Sequence, residues 1–106
     1  MPNAALSADT LHLVEYLFRP QHRAAVILIL EGECGADLPF MGGATPESLE
    51  RIRFAVLRLS EGSPSKVAEA VALAKTDWRD VLVAAQFANG LQAHVAWFRE
   101  LGATQG

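Results

Sequence analysis

Scarcity narrows the biology of this 106-residue chain more than any motif does. It has one cysteine, Cys34, so no disulfide can form within it, and a reducing cytoplasm is the expected compartment. Residues 1–10 lack the basic region and apolar run of a secretory signal. The longest unbroken apolar run, Ala24 to Leu30, has seven residues, where a membrane-spanning helix needs about 20. No membrane segment is expected. Nor is there surplus positive charge. Nine Lys and Arg stand against twelve Asp and Glu, a net charge of −3 that gives phosphate backbones no electrostatic attraction. Residues 1–44 carry two basic and five acidic side chains and residues 45–106 seven of each, so neither half resembles a nucleic-acid arm. Nucleic acid is not an expected partner.

Apolar side chains are what the chain has in excess. They make up 51% of it before its eight glycines are counted, against roughly 45–50% with glycine included in average soluble domains. A chain of this size is one domain and has an unfavourable surface-to-volume ratio, so the surplus predicts a partner surface. The commonest such partner is a second copy, and a homodimer is the expectation, with another protein as the further possibility.

Punctuation by capping residues and proline divides the chain into helices. Ser7 can cap a first helix, about 8–18, with Leu6 and Leu11 placed as a hydrophobic staple and Pro20 closing it. Pro20 opens a second helix to about Glu31. Its run AAVILIL has no periodicity and reads as a helix apolar all round, hence central. The alternative is a strand over residues 24–30, which would make the fold α+β, but no convincing partner strand is present. Thr45–Pro46 starts a helix to about Leu59, with Leu49, Ile52, Val56 and Leu59 as its apolar stripe, and Gly62 ends it. Ser63–Pro64 starts another to about Lys75, burying Val67, Ala70, Val71 and Ala74. Asp77 caps Trp78–Ala88, Asn89–Gly90 stops it, and a last helix runs from Leu91 to Leu101. The expected fold is all-α, a single-domain bundle of about five or six helices.

Between the second and third helices, Gly32 to Ala44 is the one long irregular segment. Its apolar pair Phe40–Met41 is a candidate partner-binding tip. Gly42–Gly43 before a helix start lacks the Walker lysine and the Rossmann glycine spacing, so it reads as a plain turn.

Candidate ligand-binding residues gather near the C-terminus: Asp77 and Arg79 in the string Asp77-Trp78-Arg79-Asp80, then His94 and Trp97. An acid, a base, an imidazole and an indole can line a pocket. Architecture is the competing explanation. A hairpin about Asn89–Gly90 would set Arg79 beside Glu100 and Asp80 beside Arg99, as exposed ion pairs worth about 1 kcal/mol or less. His94, spaced helically with Leu91, Phe98 and Leu101, points into the apolar face and reads as a core histidine. His12 and Glu15 alone make a weak metal pair, so no metal or cofactor is expected. Glu33 and Asp37 beside Cys34 disfavour a thiolate. Arg51, Arg53 and Arg58 share one helix but are interleaved with Glu47, Glu50 and Glu61, which argues against a DNA-reading face. No catalytic constellation emerges, and a non-enzymatic role is the expectation.

The string RIRFAVLRLSEGSPSKVAEAVALAKTDWRDVLVAAQFANGLQAHVAW, residues 51–97, resembles a group of short bacterial proteins that share DWRD-x-LVAA-x-FA leading to AH-x-x-W. The resemblance covers somewhat under half of the chain. It implies a bacterial, cytoplasmic, helical setting and brings no activity or site residues. A helical protein–protein interaction or regulatory module is therefore expected, with a ligand-binding or enzymatic pocket around Asp77, Arg79, His94 and Trp97 as the alternative.

Overall fold

In a computed structural model, which describes residues 6–34, 46–87 and 93–101, every element among the described residues is an α-helix. The first, α1 (Ala8–Leu17), starts where Ser7 Oγ accepts from the Thr10 backbone N–H at 3.1 Å. Helix α2 (Pro20–Glu33) follows almost directly. Its Arg23 donates back to the carbonyls of Glu15 and Phe18, at 2.8 and 3.0 Å, and so satisfies the end of α1. The run from Ala24 to Leu30 is helical and no strand forms there. It is not central, however. Only Val26 and Leu30 of α2 are buried, Ala24 and Ala25 are exposed, and Leu28 is 70% exposed. The reason is positional, since among the described elements it is α1 and α4 that pack on α2, both against its Val26–Leu30 side. Helix α2 also runs through Gly32 and Glu33, where an irregular segment was expected to have begun, and is capped at Cys34; the rest of that expected segment lies outside the described residues. Phe40, Met41 and Gly42–Gly43 lie outside the described residues.

The central element is α3 (Pro46–Ser60), which packs against α1, α4, α5 and α6. Every residue from Ile52 to Leu57 is buried, where the apolar stripe accounted only for Ile52 and Val56. Arg53 lies within that run at 3% exposure, and its Nε donates to the Cys34 carbonyl at 2.9 Å. A buried guanidinium needs such acceptors, and this one ties the end of α2 to the middle of α3. Helix α3 ends in two left-handed residues, Glu61 (φ 51°) and Gly62 (φ 83°). Glycine is required at the second, because a Cβ there would lie 3.0 Å from the Leu17 carbonyl oxygen.

Helix α4 (Pro64–Thr76) buries Val67, Ala70, Val71 and Ala74, as their spacing predicts. Asp77 alone joins it to α5 (Trp78–Ala84). Its N–H continues α4 to the Leu73 carbonyl at 2.9 Å, and its carboxylate caps α5 by accepting from the Arg79 N–H at 3.0 Å. Helix α5 stops at Ala84, earlier than the expected Ala88. The Gln86 N–H bonds the Val83 carbonyl at 3.0 Å and the Phe87 N–H bonds that of Leu82 at 2.8 Å, a Schellman closure with Gln86 left-handed at φ 66°. Shortened in this way, α5 packs on α3 and α4, whereas α6 (Ala93–Leu101) packs on α3 through the buried His94 and Phe98. The ion pairs expected between Arg79 and Glu100 and between Asp80 and Arg99 are not formed. Arg79 turns back onto Asp77 instead.

Candidate functional site

The four residues singled out in the sequence fall into two separate pairs. At the start of α5, Asp77 accepts from Arg79 Nε at 3.1 Å and from Nη2 at 3.0 Å, a two-pronged pair with the Arg79 side chain 70% exposed. The hydrogen bonds from the Arg79 side chain and backbone hold the Asp77 carboxyl below its ordinary value. The same pairing raises Arg79. Both charges are therefore spent on each other and on the cap.

His94 and Trp97 meet elsewhere, around Phe54. The Phe54 ring lies 5.2 Å from His94 and 6.3 Å from Trp97, both edge-on, and Phe87 closes the cluster at 6.3 Å from His94 and 5.7 Å from Trp97. No hydrogen bond, ion pair or ring contact joins this cluster to Asp77 or Arg79. Burial pulls His94 below its ordinary value, with Arg51 acting in the same direction and Glu50 against it. Glu50 Oε2 lies 3.9 Å from His94 Nε2, too far for a hydrogen bond, and Glu50 Oε1 accepts from Ser7 Oγ. Among the described residues His94 Nδ1 and Trp78 Nε1 are buried without a hydrogen-bond partner.

Arginines of α3 organise the other side of the aromatic cluster. Arg51 donates to the Phe87 carbonyl at 2.5 Å and so holds the segment after α5. Arg58, half-buried, stacks its guanidinium 5.3 Å from the centre of Phe87 and 5.6 Å from that of Trp97. No carboxylate or carbonyl among the described residues accepts a hydrogen bond from it. It lines a cleft of about 330 Å³ with Leu59, Glu61, Ala84, Ala85 and Gln86. Sequence reasoning had Arg58 only as one of three arginines on a helix and missed the cleft. Its other wall is made by the early end of α5, for which the sequence carried no signal because a glutamine stands where a glycine usually marks such a stop.

Chemistry at the remaining candidates is limited by their surroundings. Burial pushes the Cys34 thiol up to about 11, against the lowering influence of Arg53 and Lys75, so it is protonated and inert at neutral pH. Burial is the largest cause, and Glu33, one of the two carboxylates expected to act on it, is paired with Lys75, while Asp37 lies outside the described residues. His12 and Glu15 are exposed on α1, and no three His, Cys, Asp or Glu side chains come together among the described residues. No described helix is long and apolar enough to cross a membrane. No family model, curated protein or solved structure matches the chain.

Proposed function

We propose that the protein is a cytoplasmic helical interaction module that works by reversible self-association through the outer face of α2. One observation carries this. Gln21, Ala24, Ala25, Leu28 and Gly32, spaced three or four apart, form an exposed strip without a charged side chain, from which Leu28 projects at 70% exposure. In a two-fold contact each patch meets itself, so a charge near the axis would meet its own copy. An uncharged strip suits that geometry, and its small residues let another helix come close.

The charges around the strip favour a second copy over an unrelated helix. Arg19, His22 and Arg23, the last bonded to the carbonyls of α1, crowd the start of α2, and Glu31 and Glu33, the latter in an exposed pair with Lys75, its end. This is the reverse of what the helix dipole rewards, since the first turn has no acidic residue and the last no basic one. An antiparallel copy would set basic ends beside acidic ends and oppose the two dipoles. A helix of 14 residues is only about 21 Å long, so the contact falls in the small, transient class, with an affinity of about the micromolar order.

Sedimentation equilibrium across the micromolar range tests this. Concentration-dependent dimerisation is expected, and Leu28→Glu should abolish it while leaving the helical spectrum and melting of the monomer intact, because the site is exposed. A native chain that stays monomeric, or a Leu28→Glu chain that dimerises as well as the native one, would refute the proposal.

A further inference from the structure

The geometry points to the cleft between the ends of α3 and α5 as a binding site for an apolar α-amino acid, with Arg58 taking its carboxylate and Glu61 its ammonium group. This is independent of the α2 face.

Arg58 supplies the first half of the case. Its guanidinium is oriented by two aromatic rings, at 5.3 and 5.6 Å, and carries five N–H donors with no acceptor among the described residues. It lines the 330 Å³ cleft, which lies within the size range of small-molecule sites. A planar, fork-shaped cation prepared in this way matches a carboxylate, because two parallel N–H···O bonds form without ordering the side chain anew.

Backbone strain supplies the second. Glu61 and Gln86 are the two non-glycine residues with positive φ among the described residues, and both line this one cleft. Gln86 takes the left-handed position of the helix closure that glycine fills without strain, and Glu61 turns left-handed immediately before Gly62, which is itself left-handed. Two strained backbone positions gathered at a single concavity are a cost in stability of the kind that ligand sites carry.

The remaining chemistry selects the ligand class. Glu61 repels a second negative charge, which disfavours phosphates and dicarboxylates, and it offers an acceptor to a cation. Its partner Lys66 holds it at 3.0 Å in an exposed, readily exchanged pair. The cleft adjoins a second groove of about 400 Å³, the two sharing Leu59 and Ala84, and that groove adds Ala70 and Leu73 together with the charged Lys66 and Glu69. A molecule with a carboxylate and ammonium at one end and an apolar side chain at the other fits the pair of grooves.

Trp97, beside Arg58, gives a direct readout by emission, supported by the Gln86 amide shift in a proton–nitrogen correlation spectrum. The probes are L-leucine, L-phenylalanine and L-methionine, with acetate, inorganic phosphate and butylamine as single-charge or anionic controls. At least one amino acid should bind saturably at about millimolar concentration or below, and each control about tenfold more weakly or not at all. Arg58→Lys, which keeps charge and stem but loses the fork, should weaken binding about tenfold, and Glu61→Gln several-fold. Gln86→Gly should raise the melting temperature while weakening binding, an opposition that a purely structural role would not produce. Absence of saturable binding by all three amino acids overturns the proposal. So does equal binding of acetate or phosphate, or affinity unchanged in a folded Arg58→Lys chain.

Discussion

The most apolar stretch of the chain is on its surface, and a stretch bearing three arginines is at its centre. Ala24 to Leu30 of α2 contributes two side chains to the core, whereas Arg51 to Arg58 of α3 contributes six consecutive buried positions, Arg53 among them. The difference shows that burial follows the number of neighbouring elements and not local hydrophobicity. Helix α3 is walled by four helices, and its arginines reach carbonyls or ring faces from inside: Arg53 on Cys34, Arg51 on Phe87, Arg58 over Phe87 and Trp97. Long side chains of this kind lay apolar stems along a core while their heads find partners. Among the described elements α1 and α4 pack on α2, and its Ala24, Ala25 and Leu28 are exposed.

The contrast can be broken most decisively at its buried end. Phe54 is 1% exposed and touches His94, Trp97 and Phe98. Phe54→Ala should therefore cost about 3–5 kcal/mol in urea unfolding, the range for emptying a large aromatic site. A loss near 1 kcal/mol would mean that α3 is not the centre. A finer comparison lies within α2 itself. Leu30 is fully buried and Leu28 is not, two residues apart in one apolar run. Leu30→Ala should cost about 2–4 kcal/mol and Leu28→Ala no more than about 0.5 at concentrations where the chain is monomeric. Equal losses would show that both faces of α2 are covered.

The smallest effect concerns His94. Burial lowers its proton affinity in the folded chain, so the unfolded chain binds more proton as the pH falls. The stability contributed by the neutral imidazole is complete above the unfolded value, about 6.5, and is lost as pH drops through it toward the lower folded value. Urea midpoints should decline between pH 7 and pH 5 in the native chain and decline less in His94→Phe. A steeper decline in the variant would show that the buried imidazole is stabilised as a cation by Glu50.

Helix starts were legible in the sequence because capping is local. Ser7, Pro20, Pro64 and Asp77 each act within three residues, and each marks a helix start in the structure. The all-α class follows from the same punctuation and from the lack of a partner for the run 24–30. The amphipathic stripe of α4 was legible too, because one-sided burial imprints a period. The core of α3 was not, since a helix surrounded on several sides needs no periodicity and its arginines disguise it. Nor was the stop of α5, where Gln86 adopts a conformation that its residue type does not announce. Nor was the turn of Arg79 back onto Asp77, which leaves the expected ion pairs with α6 unformed and Asp77 and Arg79 apart from His94 and Trp97.

By itself, then, the sequence determined the all-α class and most of the helix starts among the described residues. Tertiary structure alone decided which helix is central, which apolar face is left bare, and which arginine is held over aromatic rings beside a cleft. The physical reason is range. Caps, prolines and periodic stripes act over one or two helical turns, whereas burial and the convergence of side chains 28 to 39 residues apart, as between Arg58 and Gln86 or Trp97, depend on how whole helices share a limited interior.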